Sequence, residues 1–268
     1  MEPRLIKKEL ERLAKKEKKL IDRDENKLLE ASLTPVREAI EQKMPEKIKS
    51  SLDMAFFKGF ELVFEKGSEY IEKTYNRNKK ISHYDKNDAE LERDKVKKSG
   101  RRHIKNLDKQ ANVSKLTNSS ISAAEGAVLG LLGIGVPDIP LFIAVIMKTI
   151  HEIALSYGFD YKTDGEKVYV LLLICAAVSR GDLKKEYNNQ IELLEIKIEE
   201  DAGADIDLQE QMKTAAGALS GAILVAKFIQ GIPIIGIVGS AVNYSLVRRI
   251  GEFAAIKYKK RYLRRKNR

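Results

Sequence analysis

Two carboxylates, Glu152 and Glu252, occupy matching places in two similar segments of this 268-residue chain. Ile150-His151-Glu152-Ile153-Ala154 aligns with Ile250-Gly251-Glu252-Phe253-Ala254 at an offset of 100. Paired carboxylates can divide acid and base roles or hold a cation, provided the fold brings them together. Arg249 completes a speculative polar cluster with them. The plainer reading puts each carboxylate on the water-facing flank of its helix, bridged to Lys148 or to Arg248 and Arg249 at helical spacing. Other chemistry finds little support. His83, His103 and His151 are scattered, and the residue four past His151 is Leu155, so the H-E-x-x-H zinc pattern is missing. Cys175 has no C-x-x-C partner. Gly130-Leu-Leu-Gly133-Ile-Gly135 is no dinucleotide fingerprint and lacks the Lys-Ser/Thr of a P-loop. These residues call for no metal and no cofactor, and they lean away from an enzyme.

Each carboxylate follows a water-averse stretch, Gly126–Met147 in one case and Thr214–Val247 in the other. The stretches share a second anchor, Gly126-Ala-Val-Leu-Gly130 against Gly217-Ala-Leu-Ser-Gly221, at an offset of 91. Gly133, Gly135, Pro137 and Pro140 break the first, and Gly231 and Pro233 break the second. A bilayer-spanning helix needs roughly 20 uninterrupted apolar residues, which neither stretch supplies. Helix–turn–helix hairpins are expected instead, either packed into a soluble core or dipping into one leaflet. The residues at their bends, Val136, Pro137, Ile139, Pro140, Ile232, Pro233 and Ile234, are the candidates for lipid contact.

The elements around these hairpins read as helices. Residues 1–31 read as one helix with a thin apolar stripe among charges, a surface or partner-packing helix with a membrane-surface helix as the alternative, and 1–34 is divided from a main domain over 35–262. Thr34-Pro35 and Pro45 are helix starts. Ile48, Leu52, Phe56, Phe60, Val63 and Phe64 recur at three- to four-residue spacing and belong to a core. Residues 76–112 are polar and read as a loop or weakly held helix, a flexible divide. Ser122 and Glu125 fit a capping box, Gly158 a helix terminator, and Asp164 a cap for the next helix. Val168–Val178 is apolar on every side and too short to span a membrane, so it is expected as a buried core helix. The fold class is all-α, a multi-helix bundle with two related Gly/Pro-broken apolar helical hairpins.

Charge is unevenly placed. The chain carries a net +10. From Arg248 to Arg268 there are ten Lys/Arg and one acid, Glu252, which is +9 and nearly the whole surplus. A basic tail directly after an apolar segment suits an anionic membrane surface better than nucleic acid. Lys257, Lys259, Lys260, Arg261, Arg264 and Arg265 are its contact candidates, with 263–268 the end of the tail. A single Cys allows no internal disulfide, and the first residues lack the apolar core of a secretory signal. The expected location is cytoplasmic, peripheral or re-entrant at the inner face of the cell membrane.

Ala123-Ala-Glu-Gly-Ala127, Val136-Pro-Asp-Ile-Pro140 and His151-Glu-Ile-Ala-Leu-Ser-Tyr-Gly-Phe-Asp160 together resemble the EcsC protein family. Pro233-Ile-Ile-Gly236, Val242-Asn-Tyr244 and Glu252-Phe-Ala254 extend the resemblance over about residues 35–262. It implies a helical, cytoplasmic or membrane-associated protein, and a genomic link to an ABC-type transporter. It implies no reaction, cofactor or catalytic residue. The resulting expectation is a non-enzymatic membrane-associated protein, accessory to such a transporter or to a secretion system. The alternative is a soluble helical carrier or sensor of an apolar, acyl-type ligand.

Overall fold

A helix with no polar face must be surrounded, and the architecture follows from that requirement. The computed structural model describes residues 2–22, 46–67, 71–72, 74–93, 97–124, 138–200, 207–230 and 240–267. Among them the chain is all-α, with no strand. The helices are α1 (Pro3–Asp22), α2 (Glu46–Leu62, continued by a π turn over Val63–Gly67), α3 (Arg77–Arg93), α4 (Lys97–Ala124) and α5 (Asp138–Ser156). They continue as α6 (Asp164–Val178), α7 (Gly181–Glu199), α8 (Leu208–Gln230) and α9 (Ser240–Asn267).

Every residue of α6 from Val168 to Val178 is buried, enclosed by α7, α8 and α9. Its cap is Thr163, one residue before the expected Asp164: Glu166 N–H donates to the threonine hydroxyl at 3.3 Å, and Asp164 lies in the first turn. Around this centre, α2 packs on α5 and α8, carrying Leu52, Phe56 and Phe60 inward as their spacing predicts. Gly158 ends the chain's turn after α5 at φ +76°, and an added Cβ there would run into the ring of Tyr84.

Helix directions decide what lies at each end. Asn118 meets Glu152 and Asp108 meets Tyr157, so α4 runs antiparallel to α5. Asp108 meets Lys259 and His103 meets Tyr262, so α4 is also antiparallel to α9. Helices α5 and α9 are therefore parallel, with Thr149 beside Gly251 and Tyr157 beside Tyr262. Ala124, Asp138 and Ser240 consequently share one end of the bundle.

Several expectations change. Of the two readings of segment 76–112, the helical one holds among the described residues, which form α3 and the first half of α4. Leu91, Ile104, Leu107 and Ala111 turn inward there, and charged neighbours find partners such as Lys80 with Glu152 and Asp88 with Lys266. Helix α1 packs on the body. Leu5, Ile6 and Leu13 are buried in the common core, against α9 and α7. Ser122 lies in the last turn of α4 and so cannot open a helix. Glu125, the Thr34-Pro35 start and Pro45 lie outside the described residues, although α2 does begin at Glu46. Within α5, Ile139–Ser156 is long and apolar enough to cross a membrane, with mean hydropathy 1.6, but 83% of that window is buried inside the bundle. Its length and composition are accounted for by core packing.

Candidate functional site: the charged seams around α9

Helix α9 spends its second half among carboxylates. Lys257 and Lys260 both pair with Glu17 of α1 and Glu192 of α7, Lys260 at 2.5 and 2.9 Å respectively. Lys259 reaches Glu9 at 3.1 Å and Asp108 at 2.8 Å. Arg264 bridges Glu192 and Glu195, each at 2.8 Å. Arg261 pairs with Glu166 at 2.7 Å, and its guanidinium lies 4.4 and 4.5 Å from the ring centres of Phe159 and Tyr169. Arg265 stacks over Phe159 at 4.6 Å and donates to the Tyr84 hydroxyl at 2.8 Å. Burial alone would raise the Glu192 pKa, but Lys257 and Lys260 outweigh it and hold that carboxyl well below the ordinary range.

For four of the six expected lipid-facing cations this is a correction. Lys257, Lys259, Lys260 and Arg261 are buried, and a cation buried against its own carboxylate is committed to the fold. Position argues the same way. Lys257 is about 25 Å along the helix from Ser240 at 1.5 Å per residue, away from the end that joins the apolar segments. Of the expected bend residues, Val136, Pro137, Ile232, Pro233 and Ile234 lie outside the described residues. Ile139 is buried against α2 near Gly59, and Pro140 is half-buried in the first turn of α5.

Glu152, Glu252 and Arg249 are engaged separately. Glu152 is buried, 2.8 Å from Lys80 of α3, and also accepts from Asn118 at 3.3 Å. Lys148 approaches it at 3.9 Å. Beside it the His151 ring stacks on Tyr161 at 3.7 Å, and Tyr161 donates to Glu72 at 2.8 Å. Burial pushes the His151 pKa down to about 3, so the ring is neutral, and its Nδ1 has no hydrogen-bond partner among the described residues. Glu252 is half-buried and accepts from Arg248 at 3.1 Å, one turn back. Arg249 donates to the Ser179 carbonyl at 3.3 Å. Burial pushes the Cys175 thiol up to about 12, away from the thiolate that reactivity requires. Among the described residues no group of three His, Cys, Asp or Glu is placed to hold a metal.

A groove runs between α1 and α4, floored by α9. Its volume is about 1250 Å³. Lys15, Lys16, Lys18 and Lys19 form one wall, Asn112 and Lys115 the other, and Ala255 and Ile256 the floor. Sequence reading missed it because the acids of α1 blurred its charge. The available signal was spacing: Leu5, Glu9, Leu13 and Glu17 recur every four residues, so two acids share the inward stripe with two core leucines. Facing inward, Glu9 and Glu17 are neutralised by α9, and the outward face of α1 is left almost wholly basic.

Protein EcsC of Bacillus subtilis (strain 168) is 31% identical over 137 residues, which is 50% of this chain and 54% of that protein. The uncharacterized protein YdbA of the same organism is 26% identical over 168 residues, 58% of this chain and 57% of its own length. The aligned regions thus span little more than half the length of either relative. No solved structure matches the chain. Residues 7–263 match the EcsC protein family, a span that takes in most of α1 as well as the body, and the chain belongs to that family.

Proposed function

We propose that the protein is a non-enzymatic helical scaffold that docks on the cytoplasmic face of a membrane by the end of the bundle where Ala124, Asp138 and Ser240 meet. The observation that carries this reading is the antiparallel packing of α4 against the parallel pair α5 and α9. It ties both ends of 125–137 and one end of 231–239 to the same end of the molecule. Those segments hold every Gly/Pro break of the two water-averse stretches except Pro140, and five of the seven expected bend contacts. Apolar surface removed from water stabilises association by roughly 25 cal/mol per Å². The ion-paired half of α9 holds the opposite end of the body together. A body held this way at a membrane surface also suits a role beside an ABC-type transporter or a secretion component.

The test is sedimentation with vesicles of phosphatidylcholine mixed with phosphatidylglycerol. Wild-type protein is expected in the vesicle pellet. The double variant Val136→Asp, Ile234→Asp is expected in the supernatant with unchanged helical circular dichroism. Wild-type protein that stays in the supernatant at every lipid composition overturns the reading.

A further inference from the structure

We propose that the groove between α1 and α4 binds the phosphate headgroup of an anionic phospholipid, with the first methylenes of the acyl chains on its floor. The groove is a site apart from the docking end, since Ile256 lies about 24 Å along α9 from Ser240 at 1.5 Å per residue, so the proposal goes beyond the membrane reading rather than resting on it.

Charge segregation on α1 is the first observation. Arg4, Lys7, Lys8, Arg12, Lys15, Lys16, Lys18 and Lys19 are all exposed, whereas Glu9 and Glu17 are turned inward onto Lys257, Lys259 and Lys260. Of the acids within the helix, only Glu11 is fully exposed and Asp22 half so. Lys15, Lys16, Lys18 and Lys19 are not paired with a carboxylate among the described residues. The groove's other acids are occupied: Asp108 by Lys259 and the Tyr157 hydroxyl, Glu252 by Arg248. The wall therefore carries an unbalanced positive charge, and like-charge repulsion along it is relieved by a bound anion. Lys115 on the facing wall is half-buried. Burial, together with Arg248 and Lys16, lowers its pKa against the pull of Glu252.

The floor selects among anions. Leu13, Leu20, Ala255 and Ile256 line it. A free phosphate is too small to use that apolar surface. Nucleic acid would use it through stacked bases, but the groove's one aromatic, Tyr157, is buried with its hydroxyl committed to Asp108. A phosphodiester joined to methylene chains matches both wall and floor. A smaller cleft of about 650 Å³ lies at the other end of α1, where Arg4, Lys7, Lys8 and Arg101 outnumber Glu2 and Glu11.

Dihexanoyl phosphatidylglycerol below its micelle concentration is the probe, followed by calorimetry on the full chain. Dihexanoyl phosphatidylcholine, inorganic phosphate and a single-stranded oligonucleotide are the competitors. Saturable binding of the anionic lipid, at least tenfold tighter than its zwitterionic counterpart, is expected. The variant Lys15→Glu, Lys16→Glu, Lys19→Glu should lose it, and the control Lys185→Glu, Lys213→Glu on α7 and α8 should keep it. Equal binding of the two lipids, full displacement by phosphate, tighter binding of the oligonucleotide, or an unaffected groove variant overturns the proposal. Failure of the membrane reading looks different. Full-length protein would then ignore vesicles while the short-chain lipid still bound and still depended on the groove lysines, and the headgroup assignment would stand.

Discussion

Helices α5 and α9 carry the two copies of the internal repeat, lie side by side and point the same way. Their apolar positions behave alike: Ile150 and Ile250, Ile153 and Phe253, and Ala154 and Ala254 are all at most 1% exposed. Their polar positions do not. Glu152 is buried and paired with Lys80 from another helix, whereas Glu252 stays half-buried with Arg248 on its own. At the neighbouring position, His151 stacks flat on Tyr161, while Gly251 leaves a gap that Thr149 and Lys115 approach. A Cβ there would sit 3.2 Å from the Thr149 methyl and 3.0 Å from Lys115 Cγ. After the shared motif α5 stops at Ser156, and α9 runs on for another three turns of ion-paired cations. The repeat has kept the register that packs a core and lost equivalence wherever a side chain answers to its own neighbours.

The sharpest way to break this contrast is at the extension that only α9 has. Arg261 and Glu166 are both almost fully buried, so Glu166→Ala strands a guanidinium in the core. Losing one partner of a buried pair costs about 3–5 kcal/mol, whereas replacing both with apolar groups of similar size is often close to neutral. Denaturant melts are therefore expected to show a large loss for Glu166→Ala and substantial recovery in Glu166→Leu, Arg261→Met. A loss below about 1 kcal/mol would mean that the extension is a surface feature and that the two copies differ less than their contacts imply.

The next test compares the two carboxylates directly. Glu152→Ala should cost about 2 kcal/mol, less than a fully dry pair because Lys80 keeps some access to water. Glu252→Ala should leave the denaturation midpoint unchanged, since its partner lies on the surface. Combining Glu152→Ala with Lys80→Met should recover part of the loss, and equal effects at 152 and 252 would restore the symmetry that the structure denies.

Helix content, the buried α6 and the Phe-rich face of α2 were legible because each rests on apolar spacing, which needs no knowledge of partners. The repeat was legible for the same reason. Segment 76–112 was left between loop and weakly held helix because α3 and α4 draw much of their support from distant charges, and nothing local says that Lys80 will meet Glu152 or that Asp88 will meet Lys266. The basic end of α9 was misread for the same reason. A cation count cannot distinguish a solvated tail from a helix threaded between the carboxylates of α1, α6 and α7. The groove fell between these cases: its lysines were visible, but their surplus became plain only once Glu9 and Glu17 were seen to face inward.

The smallest expected effect concerns His151, the repeat position where α9 has glycine. In the folded protein its pKa is depressed from 6.5 to about 3 by burial. Above pH 6.5 the ring is neutral in both folded and unfolded chains and titration adds nothing. As pH falls from 6.5 toward 3, the unfolded chain takes up a proton that the folded chain refuses, so stability declines by on the order of 1 kcal/mol per pH unit. His103, whose pKa burial also lowers, pulls the same way but is common to wild type and variant and cancels in their difference. Glu192 adds its own loss only below the ordinary carboxylate range, so the interval from 6.5 to 5 isolates the imidazole. His151→Phe keeps a flat ring against Tyr161 and should match wild type at pH 8. It should then fall less steeply with acid, standing about 1 kcal/mol above wild type by pH 5.5. Parallel pH curves for the two proteins would mean that the ring is reached by water, and that the closer packing of the first repeat copy is not what keeps it neutral.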